Sequence, residues 1–262
     1  MIRALWSGAT GMKAQSRNID VIANNLANVN TSGFKKSKAL FSDLQYDQVS
    51  APGLSVNTGV ANPTGIEVGH GVKNSSVIKI FSQGEVELTE RSLDLTIEGE
   101  GFFKLKDQNG NEFYTRNGAF TKNNEGIIVN TEGLALDGVS AIPQDTKSLT
   151  VGQDGTVSAQ DSNNQTNVIG QIQVYTFPNS SGLSSRNGAT LYEATTASGI
   201  STANTAGANG AGKITSGMLE LSNVQAVEEM VGMIKAQRAY ELNSRSITTA
   251  DQMLQEINNL KR

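Results

Sequence analysis

Residues 219–260 read LELSNVQAVEEMVGMIKAQRAYELNSRSITTADQMLQEINNL. An apolar side chain recurs in this stretch at every seventh position, at Leu219, Ala226, Met233, Tyr240, Ile247 and Leu254. A fixed step of seven keeps one apolar stripe on one side of an α-helix, where a partner helix can cover it. The pattern predicts a long helix over about 221–260, and Ser222 with Gln225 has the spacing of a capping box at its start.

The N-terminal region carries the same spacing. Leu5, Met12, Ile19 and Leu26 fall seven residues apart and predict a first helix over about 2–29. Glycines at positions 8 and 11 leave two explanations open. They mark close packing against a neighbouring helix, or they mark first turns that fray, because a helical glycine is less stable than alanine by up to about 1 kcal/mol.

The middle of the chain has the two-residue period of strands. Leu93, Leu95 and Ile97 alternate with polar residues, and the turn pairs Asn109-Gly110 and Asp154-Gly155 separate strand-like runs. Many short strands joined by such turns predict an antiparallel sandwich or a partly closed barrel. The predicted fold class is therefore α+β, with two long terminal helices, coiled-coil-like, flanking a mainly antiparallel β domain.

Four regions follow from these patterns. They are a helix region 1–34, an irregular or extended connector 35–71, a β-rich domain 72–217 and a second helix region 218–262. Within the β-rich domain, residues 195–217 are mostly Ala, Ser, Thr, Gly and Asn, and so predict a surface strap with few side chains able to anchor a core.

Composition argues against several functions. The 262 residues include no cysteine and one histidine, His70, so no metal site, cofactor site or catalytic residue is predicted. The net charge is −4 with no basic run, which disfavours nucleic acid as a partner. No apolar run reaches the roughly 18–20 residues of a membrane span, and the N-terminus lacks the apolar core of a cleaved signal peptide. Asp94 and Glu98, a conceivable glycosidase pair, fit a solvated strand face better.

Three sequence motifs resemble those of the bacterial flagellar rod and hook proteins. The first is ANNLANVNTSGFK at 23–35, with Asn24, Asn25, Asn28, Gly33 and Phe34. The second is GEGFF at 99–103, with Gly101, Phe102 and Phe103. The third lies between residues 222 and 241 and includes Asn223, Arg238 and Tyr240. The chain is short for a hook protein. Its Met1-Ile2, Leu5-Trp6, Thr10-Gly11, Asp43-Leu44 with Tyr46, and Gln252-Met253-Leu254 resemble the distal members of the family most, so the resemblance implies a structural subunit of the distal part of the rod. A proximal position is the nearest alternative.

The resemblance also implies partners and a location. The partners are other copies in a helical homopolymer, other rod proteins and the hook protein at its ends, the rings around the rod, and the flagellar export apparatus. The location is the basal body, from periplasm to outer membrane, reached without a cleaved signal peptide or membrane insertion. The helices would form a hollow torque-transmitting tube through Leu5, Met12, Ile19, Leu26, Met233, Tyr240, Ile247 and Leu254.

The sequence leaves alternatives open for the roles of several side chains and for the class of protein. Asn24, Asn25 and Asn28 either bond neighbouring backbones in the tube or cap a helix end, and Arg238 is either an interhelical anchor or half of a solvated pair. A single apolar stripe cannot bury itself, so both helices are expected to be mobile before assembly. A surface adhesin or phage tail component is the binding-class alternative, and an exported glycan hydrolase is the enzymatic one.

Overall fold

A computed structural model describes residues 2–51, 64–162, 165–186 and 190–260. The chain divides into two compact units. The first, called here the helical unit, comprises Met1–Leu26, Ser37–Ile78 and Ala226–Arg262. The second, the β unit, comprises Ala27–Lys36 and Lys79–Gln225. Two long helices and a mainly antiparallel β region confirm the predicted α+β class.

The helices are α1 (Ile2–Ala27) and α2 (Ala226–Leu260), and a short 3₁₀ turn spans Ser180–Gly182. The strands, in chain order, are β1 (Ser37–Asp43), β2 (Tyr46–Ser50), β3 (Ile66–Gly69), β4 (Val72–Lys79), β5 (Val86–Leu88), β6 (Leu95–Glu98), β7 (Phe103–Lys106), β8 (Glu112–Thr115), β9 (Thr121–Lys122), β10 (Ile128–Val129), β11 (Ala135–Leu136), β12 (Thr146–Val151), β13 (Thr156–Asp161), β14 (Thr166–Gln171), β15 (Gln173–Thr176), β16 (Ser184–Ser185), β17 (Leu191–Glu193), β18 (Thr202–Thr205), β19 (Lys213–Ser216) and β20 (Met218–Glu220).

The second helix begins five residues later than predicted. Leu219 lies in β20, which pairs antiparallel with β5, so the seven-residue pattern does not extend back to it. The capping box was also wrong, because the Ser222 hydroxyl accepts the N–H of Val224 (3.3 Å) in the turn that precedes the helix. The backbone groups up to Glu220 form hydrogen bonds to β5, so they are not available for a helix. A turn then separates β20 from α2.

The segment predicted as an irregular or extended connector contains paired β-strands. Residues 35–71 include β1, which pairs with β4, and the antiparallel pair β2–β3. The short polar strands lack a clear two-residue period, which is why the sequence did not indicate them. Residues 52–63 of the same segment lie outside the described residues.

Antiparallel pairing dominates the β unit. One seven-stranded sheet has the order β16-β17-β8-β7-β11-β10-β9, and a three-stranded sheet has the order β12-β13-β14. Each ladder described in this unit is antiparallel. The predicted turns at Asn109-Gly110 and Asp154-Gly155 join β7 to β8 and β12 to β13, and both glycines have positive φ. Positive φ is the conformation that tight hairpin turns demand, so this part of the prediction is confirmed.

Two predictions about this unit were wrong because they placed at the surface residues that are buried. Asp94 is buried rather than solvated, since the strand that follows it is covered on both faces; only Glu98 is exposed. The 195–217 segment is not a strap without core contacts, since Ala206, Ala211 and Ile214 belong to the main core. Small side chains allow this, because Gly212 comes so close to Ile97 and Glu98 that any Cβ would collide with them.

A buried tyrosine makes the β unit sensitive to high pH. The Tyr175 hydroxyl donates to Asp137 Oδ2 (3.3 Å) at the edge of an aromatic cluster. Burial, together with the nearby Asp137 carboxylate, raises the pKa of Tyr175 to about 12. The folded state therefore holds this proton more tightly than the unfolded chain, whose tyrosines titrate near about 10.

We expect this contribution to stability to be complete below pH 10 and to disappear as the pH rises through 12, because the folded pKa lies above the unfolded one. The free energy of unfolding of the wild type should therefore fall more steeply between pH 10 and 12 than that of Tyr175→Phe. Urea titrations of both proteins across this range would measure the difference. Parallel curves would show that Tyr175 ionises equally easily in both states.

Candidate assembly surface

The two helices pair with each other inside the helical unit. A Cβ on Gly8 would lie 2.9 Å from Ile247 Cγ1, and one on Gly11 would lie 2.7 Å from Asn243 Nδ2. Further along, Gly232 faces Ile22, and Asn25 bonds to Glu229. The partner number falls as the first number rises, so the helices run antiparallel. The expectation that they pack only on polymerisation must therefore be revised, since α1 and α2 cover part of each other within one chain.

The close approach settles the question left open by the glycines. Gly8 and Gly11 mark tight helix packing, because a Cβ at either position would have to displace the Ile247 or Asn243 side chain of α2. Gly232 is different. A Cβ there would lie 3.5 Å from Ile22 Cδ1, at ordinary contact distance.

We expect Gly232→Ala to raise the free energy of unfolding by about 0.5–1 kcal/mol, since alanine is the better helix former and its methyl group fits. Gly8→Ala should lower it by about 1–3 kcal/mol, because the added methyl group pushes against Ile247. Chemical unfolding followed by the far-ultraviolet circular dichroism of the helices measures both variants. Equal effects would contradict the described helix contact.

Asn25 is the polar centre of the helix pair. Its amide nitrogen donates to Glu229 Oε2 (3.0 Å) and to the Ser37 carbonyl (2.8 Å), and its amide oxygen accepts the Ser37 N–H (2.9 Å). Asn25 and Glu229 are both buried. Such a fully bonded group fixes register, because any shift along the helices would leave buried polar atoms unpaired. Of the two roles predicted for Asn25, hydrogen bonding to a backbone is the one observed, but that backbone belongs to the same chain and not to a neighbouring subunit.

The predicted stripe residues mostly lie at the edges of this contact. Ala14, Ile22, Ala236 and Ala250 are the buried apolar positions of the two helices. The stripe residues that are partly buried are Leu5, Met12, Ile19, Leu26, Met233, Ile247 and Leu254. Tyr240 is 41% exposed and does not belong to the covered face. Small side chains at the closest positions bring the backbones together, so larger stripe residues are displaced to the flanks.

A second apolar stripe on α2 faces away from α1. Val227, Met230, Val231 and Ile234 have the spacing i, i+3, i+4, i+7 and expose between 45% and 70% of their surface. Leu242 continues this exposed apolar surface at 62%. A surface helix of a monomer normally has one apolar face, so the first half of α2 is built for two partners. The spacing of this stripe is visible in the sequence, but its residues do not belong to the seven-residue stripe on which the helix prediction was based.

The central motif shapes the core of the β unit. Gly101 has φ +134°, and a Cβ there would lie 2.1 Å from Val174 Cγ1, so only glycine fits. Phe102 packs edge-on against Phe81, Phe177 and Tyr192, while Phe103 packs against Phe120. Phe102 and Phe103 are buried and pack the core of the β unit.

Motif residues from both ends of the sequence meet in the β unit. The Asn223 amide donates to the Ile80 carbonyl (2.8 Å) and accepts the Lys36 N–H (2.7 Å). The N–H of Gly33 donates to the Glu220 carbonyl (2.8 Å), and Phe34 is fully buried. These bonds tie the chain that leaves α1 to the chain that enters α2. Arg238, by contrast, is exposed and pairs with Glu241 at 3.2 Å, which favours the solvated-pair alternative.

Three buried charges lie at this crossing. Lys35 Nζ bonds to Glu220 Oε1 and to the Ser82 carbonyl (2.7 Å), and the side chains of Lys35 and Glu220 are wholly buried. Arg116 lies 3.7 Å from Glu220 Oε2 and donates to the carbonyls of Ile97 and Gly99. Burial lowers the pKa of Lys35, and Glu220 partly offsets this by favouring the charged amine. No local sequence pattern indicates that these three residues meet.

The described part of the chain lacks two other functional features, a metal-binding cluster and a membrane-spanning helix. It contains no group of three or more His, Cys, Asp or Glu side chains placed to hold a metal ion. None of the described helices is long and apolar enough to cross a membrane.

Comparison with known proteins gives the same answer along the chain. Residues 5–35 match the model for flagella basal body rod proteins, residues 96–159 match that for the D1 domain of flagellar hook protein FlgE/F/G, and residues 215–260 match that for the C-terminal region of flagellar basal body rod FlgEFG proteins. Flagellar basal-body rod protein FlgG of Borreliella burgdorferi is 43% identical over the whole of both chains. The proteins of the same name from Caulobacter vibrioides and Bacillus subtilis are 42% and 41% identical over 99% and 100% of this chain, and over all of their own length.

Fold, surface and motifs together define a structural protein of the bacterial flagellum. The chain belongs to the flagellar basal-body rod protein family, and over its whole length it is similar to the FlgG members of that family.

Proposed function

We propose that this chain, a structural subunit of the flagellar distal rod, polymerises helically through its helical unit into the hollow shaft that carries motor torque to the hook. The observation that carries the proposal is the exposed apolar stripe of α2. A stripe of this length on a rigid helix is stabilised when a second copy removes it from water, at about 25 cal/mol per Å² of apolar surface. A contact between two different surfaces of identical subunits does not close on itself and generates a filament.

The paired helices suit a shaft that must not bend. The glycine contacts and the Asn25–Glu229 bond hold α1 and α2 in one register, so each subunit presents a stiff two-helix element. In this proposal the regions 1–34 and 218–262 supply the polymer core. Torque then passes through many repeated packing contacts, and no step of the function requires a reactive side chain.

The remaining partners belong to the same proposal. Other rod proteins and the hook protein would continue the shaft at its ends, the periplasmic and outer-membrane rings would surround it, and the flagellar export apparatus would deliver the subunit without cleavage of a signal peptide. The location in the basal body follows from the family itself.

The direct test is assembly of the purified protein. We expect straight tubes by electron microscopy once the protein is concentrated, and loss of tubes in Ile234→Glu, because a carboxylate in the centre of the stripe would be desolvated by a neighbouring subunit. Val168→Glu is the matched control: Val168 is 67% exposed but lies in the β unit, so its assembly should be normal. Circular dichroism would establish that both variants keep their helices.

Two results would overturn the proposal. One is a wild type that stays monomeric at high concentration, both alone and when added to preformed rods. The other is normal tube formation by Ile234→Glu. In either case the exposed stripe of α2 would contact a different protein and not a second copy of this chain.

A further inference from the structure

A groove on the helical unit is lined by three cations around an apolar floor. Lys13 and Arg17 on α1 and Lys73 on β4 stand at its sides, and Ala14, Leu44 and Val72 form the floor. Its volume is about 270 Å³. It is large enough for more than one side chain, and it is open to solvent on the side of the three exposed cations.

The groove is held open by fixed contacts between helix and strand. Thr10 Oγ1 donates to the Ser7 carbonyl (3.0 Å) and accepts the Val72 N–H (3.4 Å). Gly71 has φ +111°, and a Cβ there would lie 2.2 Å from Thr10 Oγ1, so the strand reaches the helix only because this residue is glycine. The cations therefore stand on a rigid frame.

The charges of the groove are unbalanced within the described structure. Across the described ranges, no carboxylate lies within 4 Å of the charged nitrogens of Lys13, Arg17 or Lys73. Three like charges around one concave site raise the local potential and favour an anionic partner. The apolar floor favours a partner that is partly apolar as well.

One segment of the β unit has the complementary pattern. Residues 85–90 read EVELTE, and Glu85, Glu87 and Glu90 are exposed, with no basic nitrogen within 4 Å among the described residues. The strand β5 pairs with β20 on one side, and in the described sheets its other edge has no neighbour. Val86 and Leu88 beside the carboxylates are also exposed. This is an acidic, partly apolar edge strand, which is the kind of element that seeks a partner.

The spacing of the two charge sets agrees. Glu87 lies in β5 and Glu85 directly precedes it, so along extended chain the two residues are two positions and about 6.5–7 Å apart. Lys13 and Arg17 stand four residues apart on one helix face, with Cβ atoms about 5–6 Å apart. The long basic side chains can cover the small remaining difference, and Lys73 is available to a third carboxylate.

We infer that the groove formed by Lys13, Arg17 and Lys73 receives the acidic segment 85–90, which contains β5, of a second copy of this chain. This inference rests on the proposed polymerisation and assigns one of its contacts. Groove and strand are different surfaces, so each subunit offers one of each and the contact propagates along a filament.

A charge-swap experiment tests the contact. The variant Lys13→Glu/Arg17→Glu and the variant Glu85→Lys/Glu87→Lys should each raise the critical concentration for polymerisation by about tenfold or more, since each brings like charges together. A chain that carries all four changes should return toward the wild-type value. The control variant Lys122→Glu/Lys147→Glu reverses the charge of two lysines in the β unit, away from the groove, and should have little effect on the critical concentration.

Cross-linking provides a second measurement, because the chain contains no cysteine of its own. Lys13→Cys mixed with Glu87→Cys should form a covalent dimer on mild oxidation under assembly conditions, and Lys122→Cys mixed with Glu87→Cys should not. A disulfide within one chain that carries both Lys13→Cys and Glu87→Cys, without dimer formation, would overturn the inference.

Failure of the inference differs from failure of the proposed function. If the wild type forms tubes and Lys13→Glu/Arg17→Glu forms them at the same concentration, the groove is not a subunit contact although the protein polymerises. If both charge-reversal variants are defective but the four-change chain is no better, the groove binds some other acidic partner and β5 is the wrong occupant. If the wild type stays monomeric both alone and when added to preformed rods, the proposed function itself fails.

Discussion

Glu220→Gln is expected to lower the free energy of unfolding by about 3–5 kcal/mol, which is a large part of the stability of a typical domain. The change keeps the shape of the side chain and removes its charge. Lys35 and Arg116 are then left buried without an anion between them. Denaturant unfolding followed by the near-ultraviolet circular dichroism of the buried tyrosines of the β unit would measure the loss.

A matched control separates burial from charge. Glu193→Gln removes a carboxylate that pairs with Arg186 at 2.8 Å on the surface of the same unit, and such exposed pairs contribute at most about 1 kcal/mol. Similar losses for Glu220→Gln and Glu193→Gln would mean that the buried cluster is solvated in a way that the structure does not show.

The same variant has an expected pH dependence. Burial lowers the pKa of Lys35, and removing Glu220 removes a charge that opposes this shift, so folded Lys35 should lose its proton at a lower pH in the variant. Between this lowered pKa and the ordinary value of about 10.5, the unfolded chain binds more protons than the folded chain, and stability rises with pH. The deficit of Glu220→Gln should therefore narrow as the pH is raised from 7 toward 10.

Phe103→Ala is expected to cost about 3–5 kcal/mol, the range measured when a fully buried aromatic side chain is truncated. Phe103 has no exposed surface and packs edge-on against Phe120, with ring centroids 5.4 Å apart. The cavity would open at the centre of the main core of the β unit. Thermal unfolding, with the tyrosine signal as the readout, would measure the effect.

Two further variants interpret the result. Phe103→Leu should lose less, because leucine fills part of the space. Phe41→Ala, at a phenylalanine that is 38% exposed in the helical unit, should lose less than Phe103→Ala. If Phe103→Ala proved as stable as Phe41→Ala, the central motif would be needed for something other than core packing.

These variants bear on assembly in different ways. Phe103 and Glu220 support a folded unit, whereas Ile234 and the groove cations belong to surfaces that a second copy can cover. A variant that unfolds loses polymerisation indirectly. Variants at Ile234, Lys13 and Arg17 are therefore the informative ones for the shaft, because their side chains are exposed and their loss leaves the core intact.

Local patterns were enough to predict much of this protein. The seven-residue step predicted the two long helices, and alternation with Asn-Gly and Asp-Gly turns predicted the antiparallel hairpins. The three motifs indicated the family. Helices, hairpins and motifs depend on residues that are near each other in sequence, so a sequence read in order contains their signals.

Contacts between distant residues were decided only by the tertiary structure. Nothing near Gly8 in sequence shows that it faces Ile247, and nothing near Lys35 shows that it meets Glu220 across 185 residues. The 195–217 segment entered the core for the same reason: its small residues are valuable only where another backbone comes close. Composition and period fix which elements form, whereas the choice of partner depends on shape and charge complementarity in three dimensions.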